Sequence, residues 1–168
     1  KPQWWRKLSG RRATKGQRGA IARMTDRGFV VPAVRHGPQM LDWNAIFSRR
    51  NNKVTFEIGF GGGENLFEKA QLFPEINFIA AEIHQPGVGA LLTRMEQKLQ
   101  QPSSNERLFD NVKLYMGDGV KLLSHMPSGS ISEIYLTFPD PWPNYGHFKW
   151  RVLQEETLNE LHRVLSEH

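Results

Sequence analysis

Asp140 stands between two prolines in the run Phe138, Pro139, Asp140, Pro141, Trp142. Each proline fixes its own φ and removes a backbone donor, so the carboxylate between them has a narrow range of orientations. Such a turn can hold a fixed negative charge against a ligand. The preceding residues Ile134, Tyr135, Leu136, Thr137 and Phe138 are β-branched, aromatic or apolar, as a short buried parallel strand requires. Open α/β sheets bind ligands beyond the carboxyl ends of their strands, where Asp140 would lie. The same residues also fit an ordinary strand-ending turn, because Asp and Pro are common turn formers.

A second segment sharpens the chemistry. Val54, Thr55, Phe56, Glu57 and Ile58 run into Gly59, Phe60, Gly61, Gly62, Gly63 and Glu64, a pattern of strand, glycine loop and helix. Leu66, Phe67, Ala70 and Phe73 recur at helical spacing, and Pro74 marks the helix end. A dinucleotide-binding loop calls for Gly at position 64, where this chain has Glu. Pyrophosphate favours a helix N-terminus free of negative charge, so Glu57 and Glu64 beside the loop oppose it. The strand Phe78 to Ala81 ends in Glu82, and Val112 to Met116 is followed by Asp118. With Asp140, five carboxylates lie at or near strand ends. They suit a cationic cofactor with ribose hydroxyls, and S-adenosyl-L-methionine, with its sulfonium and ammonium, is one. Glu82 follows Gly59 by 23 residues, close to the roughly 20 expected of a ribose-binding acid. Any one of these acids also reads as a solvated strand end; four strand-end acids in register do not.

These residues resemble one family, the bacterial-type tRNA (guanine-N7)-methyltransferases. The resemblance is carried by Glu57 to Gly63 (EIGFGGG), Ala81 to Leu92 (AEIHQPGVGALL), Gly117 and Asp118, and Phe138 to Pro143 (FPDPWP). Arg151 and Gln154 follow at the family's spacing, and Thr14 to Gln17 and Leu41 to Trp43 match more weakly. The glycine loop alone indicates only a methyltransferase; FPDPW together with EIHQPGVGA is specific. The resemblance implies a Rossmann-like class I methyltransferase fold of the α/β class, with strands one to four in the order 3-2-1-4. It also implies Asp140 as the catalytic position and cofactor contacts at Glu57, Gly59, Gly61, Glu82, Asp118 and Asp140. Asn144, His147, Lys149 and Arg151 fall on its substrate and RNA positions. Asn144 replaces the family's usual Lys, and Tyr145 and Gly146 replace two further basic residues. Fewer phosphate contacts and a shallower salt dependence follow, with Tyr145, Phe148 and Trp150 either stacking on bases or packing on the last helix.

Charge is unevenly spread along the 168 residues. Residues 1 to 53 hold 13 Lys and Arg against Asp26 and Asp42, whereas the remainder holds 9 basic and 15 acidic side chains. Lys1, Arg6, Lys7, Arg11, Arg12, Lys15, Arg18, Arg23 and Arg27 are placed to track a phosphate backbone, with Trp4 and Trp5 to stack. A basic leader or targeting remnant fits the same stretch, so a cytoplasmic location is expected with an organellar one left open. Residues 1 to 20 are expected to be mobile. We divide the chain into a basic RNA-binding lead-in over 1–50 and a methyltransferase domain over 51–168. The helix carrying Leu158, Leu161, Val164 and Leu165 is followed by no further strand. The sheet is therefore expected to be truncated after strand four and its helix, leaving strand four as an exposed edge and the chain as part of a longer protein.

No apolar run approaches the ~20 residues of a membrane helix, and zero cysteines exclude disulfides and thiolate zinc sites. The six histidines show no helical pairing that suggests a metal, and most of them read as surface or capping residues. The expected partner is tRNA, with no metal, no membrane and a monomer or homodimer. The expected reaction is methyl transfer from S-adenosyl-L-methionine to N7 of a guanosine in the tRNA variable loop. Two other readings stay open: a catalytically inactive tRNA-binding relative, and a methyltransferase acting on another base.

Overall fold

The computed structural model describes residues 12–33, 39–48, 53–102, 105, 107–137, 139 and 141–167. Four strands, β1 (Val54–Ile58), β2 (Asn77–Glu82), β3 (Val112–Met116) and β4 (Glu133–Leu136), form a parallel sheet in the order β3-β2-β1-β4. This is the expected 3-2-1-4 arrangement. β1 and β2 are buried along their whole length, which is why their sequences are nearly continuous apolar runs.

Successive side chains of a strand point to opposite faces, and the two faces carry separate cores. Phe78, Ala80, Val112 and Leu114 pack beneath Met24, Leu66, Val88, Leu91, Leu92 and Met95. Those residues come from helices α1 (Lys15–Asp26), α3 (Glu64–Leu72) and α4 (Gln85–Leu99). Phe56, Ile58, Ile79, Ala81 and Tyr115 face the other way, onto Phe47, Leu122, Leu123, Met126 and Val164. They are covered by the short helices α2 (Trp43–Ile46) and α5 (Gly119–Leu123) and by α6 (Glu155–Val164). The turn after α3 is secured by Asn111, whose amide nitrogen donates to the carbonyls of Ala70, Phe73 and Ile76 at 3.1, 3.2 and 3.0 Å.

The expected mobility of residues 1 to 20 is not met from Thr14 onward; residues 1–11 lie outside the described residues. The Thr14 hydroxyl accepts from the Gln17 N–H and the Gln17 side chain accepts from the Thr14 N–H, a capping box that starts α1. Ala20 and Met24 are buried against α4, and Arg23 forms a two-pronged ion pair with Glu96 at 2.6 and 2.7 Å. Local capping and burial override the basic composition from which mobility was expected.

The apolar stripe of the last helix is only partly covered: Val164 is buried and Leu161 half-buried, whereas Leu158 is 52% exposed and Leu165 stands out as well. His125 is buried instead of lying on the surface, with Nδ1 2.9 Å from the Gln39 carbonyl oxygen. Among the described residues β4 pairs only with β1, so its other side is an edge. Among the described residues no helix is long and apolar enough to cross a membrane, and no group of three or more His, Cys, Asp or Glu is placed to hold a metal ion.

Candidate active site

The carboxyl ends of β1, β2 and β3 lie side by side. Ile58 is level with Ala81 and Glu82 with Met116, and the ladder continues through Gly59 N–H to Ala81 O at 2.8 Å and Gly117 N–H to Glu82 O at 3.0 Å. The glycine loop leaves β1 at this rim. Gly59, Gly61 and Gly63 have φ of 78°, 59° and 71°, values that favour glycine, and the loop passes directly into α3. A Cβ added to Gly59 or Gly61 would meet nothing within 4 Å, so the outer side of the loop is open. The inner side is closed. A Cβ on Gly87, in the first turn of α4, would stand 2.2 Å from the Gly61 carbonyl oxygen, and one on Gly63 would meet the Leu91 side chain at 2.6 Å.

Glu82 ties this rim together. It is 8% exposed; one carboxylate oxygen accepts from the Gly61 N–H at 2.9 Å and the other from the His84 N–H at 2.7 Å. A carboxylate has about four lone-pair positions, so these two bonds leave room to accept from two hydroxyls. Asp118 is the N-cap of α5, its Oδ1 accepting from the Val120 N–H at 3.0 Å. Glu57 is 6% exposed in β1, level with Tyr135 of β4. Burial raises the pKa of its carboxyl above the usual value, an effect opposed by the Lys69 ammonium and a hydrogen bond from the Thr137 side chain. Lys69 Nζ sits 3.5 Å above the Tyr135 ring.

Glu64 does not join these acids in facing a ligand. It is paired with Arg94 at 2.9 Å, and that contact lowers the pKa of its carboxyl. The Arg94 guanidinium offsets the Glu64 charge, which leaves Glu57, Glu82 and Asp118 together with Asp140 as the candidate acid set. Phe138 and Asp140 lie outside the described residues.

The segment after Asp140 is built on aromatic contacts. Residues Tyr145–Trp150 form a 3-10 helical turn. The His147 ring stacks on Trp150 at 4.2 Å and meets Trp142 nearly at a right angle at 5.5 Å, so the imidazole faces inward. Asn144, Lys149 and Tyr145 are exposed, Tyr145 by 89%. The Arg151 guanidinium is turned back onto the chain: Nε donates to Pro141 O at 3.0 Å, Nη2 donates to Trp142 O at 3.3 Å, and its carbon lies 3.7 Å from the Phe148 ring centroid. Sequence reasoning missed Gly87, Lys69 and Thr137. Only Gly87 carried a signal, a glycine directly after a helix-starting proline, where close approach is the reason to forgo a side chain.

The arrangement fits an adenosyl cofactor on its own evidence, with a glycine cradle open on one side and a buried carboxylate with spare accepting capacity at the next strand end. Comparison with known proteins bears on the family. Residues 51–168 match the family described as "Putative methyltransferase". The tRNA (guanine-N(7)-)-methyltransferase of Aliivibrio salmonicida (strain LFI1238) is 38% identical over 146 residues, 86% of this chain and 56% of that protein. The protein of the same name from Ralstonia pickettii (strain 12J) is 40% identical over 151 residues, 89% of this chain and 54% of its own length. The chain thus spans about half the length of the curated relatives it matches. A solved structure titled "Structure of an antibiotic related Methyltransferase" superimposes with TM-score 0.50 at 15% identity over 80% of this chain and 65% of its own, a likeness of fold. A methyltransferase sheet, a glycine loop bonded to the next strand's acid and a family match over 51–168 lead to one assignment: the chain belongs to the putative methyltransferase family.

Proposed function

We propose that the protein transfers a methyl group from S-adenosyl-L-methionine to N7 of a guanosine in the tRNA variable loop. The observation that carries this reading is the Gly61 and Glu82 contact at 2.9 Å beside the open faces of Gly59 and Gly61. The name shared by the relatives in Aliivibrio and Ralstonia supports the choice of base and RNA. Glu82 would accept from the ribose hydroxyls, Gly59 and Gly61 would let the cofactor approach the backbone, and Glu57 and Asp118 would complete its contacts. When bound, S-adenosyl-L-methionine supplies an electrophilic methyl whose bond to sulfur breaks as the N7 lone pair bonds to carbon, leaving the positive charge on the base.

Guanine N7 carries no proton at neutral pH, so the protein's task is to orient the base, not to deprotonate it. Asp140 would accept from the base's N1–H and exocyclic amine, and its charge would favour the base as it becomes cationic. Lys149 and the basic residues of 1–50 would carry phosphate contacts. The reading includes a cytoplasmic protein acting as monomer or homodimer without a metal.

The test is methyl transfer from labelled S-adenosyl-L-methionine to unmodified tRNA, followed by nucleoside analysis. Labelled 7-methylguanosine is the expected product. Another modified nucleoside would move the assignment to a different base. Transfer only by a form as long as the curated relatives would keep the assignment, whereas tRNA binding without transfer by either form would select the inactive relative, which the exposed, uncharged run Asn144, Tyr145, Gly146 favours.

A further inference from the structure

We propose that Arg151 is a positioning residue that clamps the Pro141–Trp142 end of the proline turn, and not a phosphate contact. Its guanidinium makes three contacts within the protein. Nε and Nη2 donate to consecutive carbonyls, Pro141 O at 3.0 Å and Trp142 O at 3.3 Å, while the guanidinium carbon lies 3.7 Å from the Phe148 ring centroid. Two donors in a fixed planar fork, with the plane set against an aromatic ring, match what Arg provides and Lys does not. The residue's own backbone is also held, because Gln154 Nε2 donates to Arg151 O at 2.8 Å and to Phe148 O at 3.4 Å.

The turn has a specific need for such a clamp. Trp142 has φ of 40°, in the left-handed region that a bulky L residue rarely adopts and keeps only where its surroundings over-determine it. Two sets of contacts do this. The Trp142 ring meets His147 and Trp150 edge-on at 5.5 and 5.0 Å, and Arg151 holds the carbonyls on either side of its N–H. Pro141 is bonded directly to Asp140, so the clamp fixes the chain immediately after the proposed catalytic carboxylate. That catalytic consequence rests on the reading given under Proposed function; the clamp itself does not.

Arg151→Lys separates the two roles, because lysine keeps the charge a phosphate needs but lacks the planar fork. The measurements are the single-turnover transfer rate at saturating tRNA and S-adenosyl-L-methionine, tRNA affinity across salt concentrations, and amide exchange over residues 142–148. Arg151→Lys and Arg151→Gln are both expected to slow transfer at least tenfold and to speed exchange in that segment. tRNA affinity should stay within twofold and its salt slope should be unchanged. The proposal is overturned if Arg151→Lys matches the wild type in rate and exchange while Arg151→Gln weakens tRNA binding and lowers the salt slope by about one. If neither the wild type nor a form as long as the curated relatives transfers a methyl to tRNA, the functional reading fails while exchange still decides the clamp. Unchanged exchange in both variants would then overturn it.

Discussion

Glu57 shows how one buried side chain connects stability with ligand preference. Its carboxyl has a raised pKa because burial disfavours the charge, and Lys69 and Thr137 only partly offset this. The folded state therefore holds the proton more tightly than the unfolded chain. Its contribution to stability is present at low pH and is lost as pH rises from the ordinary 4.5 through the raised folded value. Glu57→Gln should flatten this decline and give a higher midpoint of thermal unfolding at neutral pH, while weakening S-adenosyl-L-methionine binding measured by titration calorimetry. Asp140→Ala is expected to abolish methyl transfer and leave the unfolding midpoint unchanged; an active variant would remove Asp140 from its proposed role. The candidacy of Glu57, Glu82 and Asp118 was legible because acids at strand ends stand out against apolar runs. What each acid bonds to was not, because Glu64 meets Arg94 thirty positions away in sequence and Glu82 meets the amide of Gly61.

At the scale of elements, the glycine loop and the start of α4 form one joint with two different tolerances. Gly61→Ala places a methyl in open space but in a left-handed backbone conformation, at a cost on the order of 1 kcal/mol. Its larger effect should be on cofactor affinity, because the methyl stands on the loop's open side. Gly87→Ala must push a backbone carbonyl out of the way, for about 1–3 kcal/mol of stability as in other overpacked sites. Paired denaturation and cofactor titrations of these two variants should give opposite rankings, Gly87→Ala worse for stability and Gly61→Ala worse for binding relative to its stability loss. β1 to β3 and the loop could be read from sequence, since β1 and β2 are buried along their length, all three strands are rich in apolar residues, and the loop concentrates glycine. α1 was not, although Thr14 and Gln17 spell its cap, because the surrounding arginines read as a solvated leader. In the last helix the periodic leucines showed the stripe, and which part of it is covered came only from the structure.

Across the whole molecule, charge is both segregated and stapled. The basic first third is joined to the methyltransferase sheet by α1, through the Arg23 and Glu96 pair and a bond from Gln17 Nε2 to Pro86 O at 3.1 Å, one residue before Gly87. The Arg23 contact lowers the Glu96 pKa, so this contribution is present above the ordinary 4.5 and is lost as pH falls through the lowered folded value. Arg23 is largely exposed, so solvent screens the pair and its contribution is small. Arg23→Ala should therefore lower stability slightly at neutral pH and make no difference at pH 2, as denaturant melts at the two pH values would show. Asn111 sets a different limit, that of polar groups left without a partner. Its single amide serves three carbonyls at the end of α3, and hydrolysis of that amide to a carboxylate would remove both donating hydrogens and turn a charge toward three oxygens. One buried nitrogen thus closes the chain between α3 and β2, at the end of the sheet opposite the glycine loop.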